Sequence, residues 1–153
     1  MRIVVQRVSR AEVAIAGQTV ASIGPGLLLL VGFGPEDGAA QIAYWARRVP
    51  EFRIFPDSEG KMNLSVLETG GSLLAVPNFS LYAEVSKGRR PGFGAGAAPE
   101  RATGLFDQFV AALRERGLPV ETGQFGEHME VALVNDGPIT LILDDADLTG
   151  KCD

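Results

Sequence analysis

The sequence predicts a single α/β domain over residues 1–153, built mostly of antiparallel or mixed sheet with two packed helices. Three observations predict it. A chain of 153 residues can bury a sizeable core without disulfide staples and has little room for a second domain. Its 46% apolar and 22% charged content is ordinary globular composition, which sets aside disorder and low complexity. The strand patterns follow one another mostly without intervening helices, which disfavours a doubly wound nucleotide-binding fold.

The elements follow in chain order. Ile3, Val5 and Arg7 alternate with Val4, Gln6 and Val8, an opening strand that puts a charged residue on an apolar face. Val13 and Ile15, then Thr19 to Ile23, form a hairpin around Ala16-Gly17-Gln18, and Gly24-Pro25-Gly26 turns into Leu27–Val31, a strand covered on both faces. Asp37 opens a helix with Ile42, Trp45, Ala46 and Val49 on one stripe, stopped by Pro50. Phe52–Phe55 and Met62–Leu67 read as strands around a Pro56 to Gly60 turn, and Ser72–Val76 as another strand. Residues 84–98 carry Lys87, Arg89 and Arg90 among glycines, a long mobile basic loop. Pro99 suits a first helical turn, followed by a stripe of Ala102, Leu105, Phe106, Phe109, Val110 and Leu113 that Gly117 and Pro119 end. Glu130–Val134 and Ile139–Leu143 read as two strands separated by a tight turn, Asn135-Asp136-Gly137-Pro138.

Charge and cysteine content narrow the function classes. The net charge of −5 argues against non-specific coating of nucleic acid but leaves room for a local basic groove. The charge is uneven: residues 84–101 hold four basic and two acidic side chains, residues 121–153 one basic and eight acidic. One cysteine, Cys152, provides neither a disulfide framework nor a thiolate zinc site, and so near the chain end it has no rigid shell to lower its thiol pKa. The longest apolar run, Gly26 to Phe33, is too short to cross a bilayer, so a soluble, unexported, cytoplasmic protein with no membrane partner is expected.

The usual catalytic inventory is nearly empty. His128, the single histidine, reads as a surface or structural residue, with no nucleophile elbow beside it. No cluster has metal-ligand spacing, and Asp144, Asp145 and Asp147 read as a solvated acidic tail rather than a magnesium site. No metal and no cofactor are expected. Gly32, Gly34 and Gly38 lack the lysine and hydroxyl residue of a phosphate loop. As a bare charge run, Lys87-Gly88-Arg89-Arg90 is a solvated loop, with a phosphate contact as the alternative. Two backbone-rich segments remain, Val76 to Tyr82 and Asn135 to Thr140.

Together with Met1 to Val8, Lys61 to Ser65, Asn78 to Ala83, Lys87 to Pro91 and Thr122 to Gly126, these segments resemble the D-aminoacyl-tRNA deacylases, which hydrolyse D-amino acids from mischarged tRNA. The resemblance covers essentially the whole chain. Of the family's two signatures, Asn-x-Gly-Pro-(Val/Ile)-Thr is fully matched by Asn135 to Thr140. The other, Ser-Gln-x-Thr, departs at Pro77, Asn78 and Ser80. Ser80 keeps a hydroxyl and Asn78 an amide, whereas Pro77 removes an N–H and fixes φ.

The resemblance implies a barrel-like core and a homodimer in which Gly137-Pro138 of one subunit, joined by a cis peptide, reaches into the other's pocket. Such a backbone would face the substrate's Cα and strike an L side chain, so that selection works by rejecting the wrong hand. Glycine escapes, which makes mischarged glycyl-tRNA a further substrate. The family's matching arginine supports the Gly-Pro turn, which gives Arg7 that role beside the substrate; on pattern alone it is a salt-bridged strand residue. For catalysis the resemblance points to Asn78, Phe79 and Ser80, with backbone N–H groups near Phe79 and Ser80 stabilising the oxyanion and the substrate's ribose hydroxyl positioning water. Ser80 as covalent nucleophile is the competing version, and no sequence neighbour activates it. Lys87, Arg89 and Arg90 become candidates for tRNA contact. Two other readings stay open: a non-catalytic tRNA- or nucleotide-binding relative, and a small-molecule D-amino-acid esterase.

Overall fold

A computed structural model describes residues 1–149; Cys152 lies outside them. The long strand β1 (Arg2–Ile15) organises the sheet. Its first half pairs antiparallel with β3 (Gly26–Gly32) and its second half with β2 (Gln18–Ile23), reached through a two-residue turn in which Ala16 and Gly17 both have positive φ, at 50° and 77°. That geometry matches the twist of the hairpin it closes. Parallel to β3 lies β6 (Ser72–Pro77), and parallel to β6 lies the three-residue β7 (Val120–Thr122). β2 comes back against β6 and β7, so the sheet curls into a nearly closed barrel. Gly26 permits the β3–β6 approach: a Cβ there would stand 1.8 Å from the Ser72 carbonyl oxygen.

Two apolar layers flank the sheet. On one face Ile3, Val5, Leu27, Leu29, Val31, Leu73 and Ala75 meet the stripes of α1 (Ala39–Arg48) and of the later, 16-residue helix Pro99–Arg114. On the other, Val8, Val13, Ile23, Leu28, Leu74 and Val76 close on one another. Every apolar stripe position expected in the second helix is buried, which is how an amphipathic helix gains most of its stability.

Several boundaries differ from the sequence reading. α1 begins at Ala39, because Asp37 is buried and engaged elsewhere: its carboxylate accepts from the Gly34 N–H (2.6 Å) and pairs with the Met1 ammonium (2.5 Å). At its other end α1 stops at Arg48, just ahead of Pro50 as expected, and Pro50 itself sits inside a 3-10 turn, Val49–Glu51. The strand expected over 52–55 shrinks to β4 (Phe55–Pro56), paired with β5 (Met62–Leu64). Leu67 is helical, in α2 (Val66–Thr69), because Ser65 and Glu68 cap each other: the Ser65 hydroxyl accepts from the Glu68 N–H and the Glu68 carboxylate from the Ser65 N–H at 2.7 Å. The 16-residue helix is therefore α3. The acidic residues near the chain end are not a solvated tail, since Asp144 pairs with Arg2 at 2.7 Å and Asp145 with the Met1 ammonium.

The largest difference concerns residues 130–144. They form one strand, β8 (Glu130–Asp144), and not a hairpin: both halves pair with β1, Ala14↔Glu130 through Val8↔Asn135 and Gln6↔Thr140 through Arg2↔Asp144. Asp136 to Ile139 are looped out opposite Arg7 as a wide bulge. A hairpin turn would reverse the chain; here the chain keeps its direction and a short backbone segment is pushed out of the sheet.

Candidate active site

β6 is buried along its length and ends at Pro77. The Asn78 N–H donates to the Val31 carbonyl (2.8 Å), so the neighbouring proline nitrogen points to the β7 side, where the last paired residue opposite is Thr122, facing Ala75. The N–H that proline lacks therefore costs no ladder bond, and this departure from the signature is accommodated in the backbone.

Beyond it a 3-10 turn spans Phe79–Tyr82 with Asn78 as its cap. The Asn78 side-chain oxygen accepts from the Ser80 N–H (3.1 Å) and from the Ser80 hydroxyl. Both donors of Ser80 are thus occupied, while among the described residues no acceptor is in hydrogen-bond reach of the Phe79 N–H. Tyr82 anchors the far end. Its ring lies against Gly32 and Gly34, Arg2 stacks on it at 4.6 Å, and burial, with the charges of Asp37 and Asp145, pushes its phenol well above the ordinary value.

The turn forms one rim of a groove of about 460 Å³, with Pro77, Asn78 and Phe79 on one wall and Phe125 to Met129 on the other. Of the three residues expected to be catalytic, Asn78 and Phe79 line the groove, and Ser80 touches it only through Asn78. His128, expected to be a surface or structural residue, is an exposed part of the far wall. Phe125, His128 and Met129 were missed as site residues; the usable signal was the Thr122 to Gly126 block beside a glycine, Gly123, where a Cβ would meet the Met129 sulfur at 2.7 Å.

Arg7, Gly137 and Pro138 form a second constellation. Arg7 is only 8% exposed. Its Nη1 donates to the Ile54 carbonyl (2.6 Å), and its Nε to the Asp136 carbonyl (3.2 Å) and carboxylate (3.1 Å). Asn135 staples the bulge from its other side, donating from Nδ2 to the carbonyls of Arg7 (3.0 Å) and Ile139 (2.9 Å) and accepting from the Thr140 hydroxyl (3.2 Å). Gly137 has φ +123°, and a Cβ there would stand 2.9 Å from the Ile139 nitrogen and 3.1 Å from an Arg7 terminal nitrogen. Only glycine fits. The Gly137-Pro138 peptide is cis, and both residues are exposed.

A single chain does not bring these constellations together. Arg7 pairs with Leu27, which pairs with Leu73, and Asn78 lies five residues beyond Leu73. The bulge therefore stands roughly 16 Å from the turn along the strands, with the width of the sheet to cross as well.

Lys87, Arg89 and Arg90 are exposed, and among the described residues none is paired with a carboxylate. Their loop is pinned on both sides, by reciprocal Glu84 and Gly92 backbone bonds (2.8 and 2.9 Å) and by Ala97 N–H to the Phe33 carbonyl (2.9 Å). Between these pins Phe93 packs edge-on against Phe79, ring centres 5.2 Å apart, which places the basic tip beside the groove.

A family model described as D-Tyr-tRNA(Tyr) deacylase matches residues 4–144. A D-aminoacyl-tRNA deacylase of Chlorobaculum parvum is 56% identical over 145 residues, covering 94% of this chain and 97% of that protein. A solved structure of the c-Myc DNA Unwinding Element Binding Protein superposes with a TM-score of 0.88 at 35% identity, covering 94% and 98% of the two chains. A probable eukaryotic D-amino acid tRNA deacylase shares the fold, with a TM-score of 0.79 at 21% identity over 93% and 97%.

Proposed function

The chain belongs to the D-Tyr-tRNA(Tyr) deacylase family, and from that premise we infer that it is a hydrolase, a D-aminoacyl-tRNA deacylase. The groove seats the 3′-terminal aminoacyl-adenosine of tRNA. Water adds to the ester carbonyl, the bond to the ribose oxygen breaks, that oxygen leaves with a proton, and the D-amino acid and tRNA are released. An aminoacyl ester is already activated, so stabilising the oxyanion and positioning the water suffice.

The observation that carries this reading is the unpaired Phe79 N–H at the groove's rim, beside a Ser80 whose hydroxyl is already donated to Asn78. Phe79 N–H is the oxyanion donor. Ser80 N–H is taken by Asn78 and does not share that role, and Ser80 is not a covalent nucleophile, since no base activates it. The neighbouring ribose hydroxyl positions the water.

We further propose a homodimer in which Gly137-Pro138 of each subunit completes the other's groove. The exposed bulge and its distance from its own turn support this. Its backbone rejects L side chains and admits D residues and glycine, so glycyl-tRNA is a further substrate. Arg7 braces the bulge rather than touching the reacting atoms. Lys87, Arg89 and Arg90 contact acceptor-end phosphates, and replacing all three with Ala is expected to weaken tRNA binding and flatten its salt dependence. Among the described residues no helix is long and apolar enough to cross a membrane, and we assign the enzyme to the cytoplasm, where its substrate is.

The test is incubation with matched D- and L-aminoacyl-tRNAs and with a simple D-amino-acid ester. Release from the D-aminoacyl-tRNA alone is expected. Equal turnover of the free ester identifies a small-molecule esterase, and RNA binding without turnover a non-catalytic relative.

A further inference from the structure

A second cavity, of about 140 Å³, opens beside the groove and shares Phe79, Pro99 and Phe125 with it. Its lining is almost wholly apolar, and four of its side chains are phenyl rings: Phe33, Phe79, Phe93 and Phe125. A void of this size holds one six-membered aromatic ring. Its mouth is formed by Phe79 and Phe93, which are 65% and 50% exposed and packed edge to face. Large aromatic side chains left half in water, above an apolar slot, mark a surface that has something to stack on it. The charge beside them selects the partner. Gly92 and Phe93 continue directly from the tip that carries Lys87, Arg89 and Arg90, cations with no carboxylate partner among the described residues, in a chain whose net charge is −5. Exposed phenyl rings flanked by unpaired cations are the chemistry of single-stranded nucleic-acid binding: rings take the bases, cations the phosphates.

We propose that the exposed face of Phe93 and the slot behind it form a second nucleobase site, taking the unpaired base that precedes the terminal nucleotide of a single-stranded RNA 3′ end. Phe93 is the stacking residue, and the slot behind it admits the edge of a pyrimidine ring. The shared wall of Phe79, Pro99 and Phe125 separates this base from the terminal residue in the groove, so the two last nucleotides are splayed apart and the phosphate between them lies toward the basic tip. The deacylase thereby reads a single-stranded end by its flexibility, because a base held in a duplex cannot leave its stack to enter the slot. This deepens the reading of the groove as the seat of the terminal aminoacyl-adenosine and rests on it.

The probe is an acceptor-stem RNA hairpin ending in a single-stranded CCA, made also with an abasic residue at the second-last position. Binding of both is measured to the wild type, to Phe93→Ala and to Phe93→Trp. Removing the base is expected to weaken wild-type binding about tenfold, the scale of one base–aromatic stack. Phe93→Ala is expected to bind the intact hairpin about as weakly as the wild type binds the abasic one, and to be indifferent to the abasic change. Phe93→Trp restores the discrimination, which a loss of folding would not allow. Equal penalties for the abasic residue in wild type and Phe93→Ala overturn the proposal, as does a wild type that does not bind the hairpin. Wild-type hydrolysis of D-aminoacyl-tRNA is measured beside it. Hydrolysis without coupling strikes the base site alone, whereas coupling without hydrolysis strikes the deacylase reading alone.

Discussion

The turn at residues 78–82 and the bulge at 135–140 both use side chains to display backbone, but they tolerate change differently. In the turn, one amide oxygen holds both donors of Ser80, and the Phe79 N–H of this groove-lining residue is left without an acceptor among the described residues. A short polar side chain that caps a 3-10 turn suffices for this, so the departures from the signature at Asn78 and Ser80 are compatible with the turn. In the bulge, Arg7 and Asn135 hold a glycine at a φ and in a space that admit nothing larger. Where function resides in a backbone atom, the residues around it can drift if they keep a hydrogen-bond pattern. They cannot drift if they fill the space itself.

Substitutions can break this comparison, taken from the largest expected effect to the smallest. Phe79→Pro removes only the proposed oxyanion donor and the ring, at a first helical position that suits proline and after a residue, Asn78, already extended at φ −142°, ψ 92°. Its kcat on D-aminoacyl-tRNA is expected to fall about 10²- to 10³-fold, the usual loss for one oxyanion donor, while Phe79→Ala keeps most of kcat. Gly137→Ala is expected to lower kcat/KM about 10²-fold, since a strained backbone at a clashing site costs about 1–3 kcal/mol and must shift the bulge. Arg7→Lys keeps the charge but not the fork that reaches both Ile54 and Asp136, so discrimination between D- and L-aminoacyl-tRNA is expected to fall about tenfold, with smaller change in kcat for the D substrate. Ser80→Ala is expected to stay within about threefold of wild type in kcat, well short of the loss that follows deletion of a covalent nucleophile. Complete loss with intact binding would restore the covalent route.

Much of the fold was legible because periodicity reports burial. The stripes of α1 and α3 and the covered strand β3 are buried where their spacing places them. β7 escaped because three residues are too few for an alternation to show. The end of Met62–Leu67 was misread although Ser65 and Glu68 carry a capping signature, since the apolar residues between them read equally well as strand. The bulge was misread for a deeper reason. Asn-Asp-Gly-Pro between two apolar runs is hairpin chemistry locally, and only the partner strand decides otherwise: β1 is long enough to pair with both runs, and its Arg7 fills the gap between them. Asn78 and Phe79, which the family resemblance singles out, line the groove, whereas the far wall of Phe125 to Met129 lies in the connection from β7, the partner of β6, to β8, and only its first residues fall in the Thr122 to Gly126 block.

The central claim is that turn and bulge, far apart in one protomer, work together across two. Mixing Phe79→Pro and Gly137→Ala protein under conditions of subunit exchange tests it directly. Each variant alone is expected to be nearly inactive. Half of the randomly exchanged dimers would pair an intact turn with an intact bulge at one of their two sites, so D-aminoacyl-tRNA hydrolysis is expected to recover to roughly a quarter of the wild-type rate. No recovery despite demonstrated exchange would contradict the account.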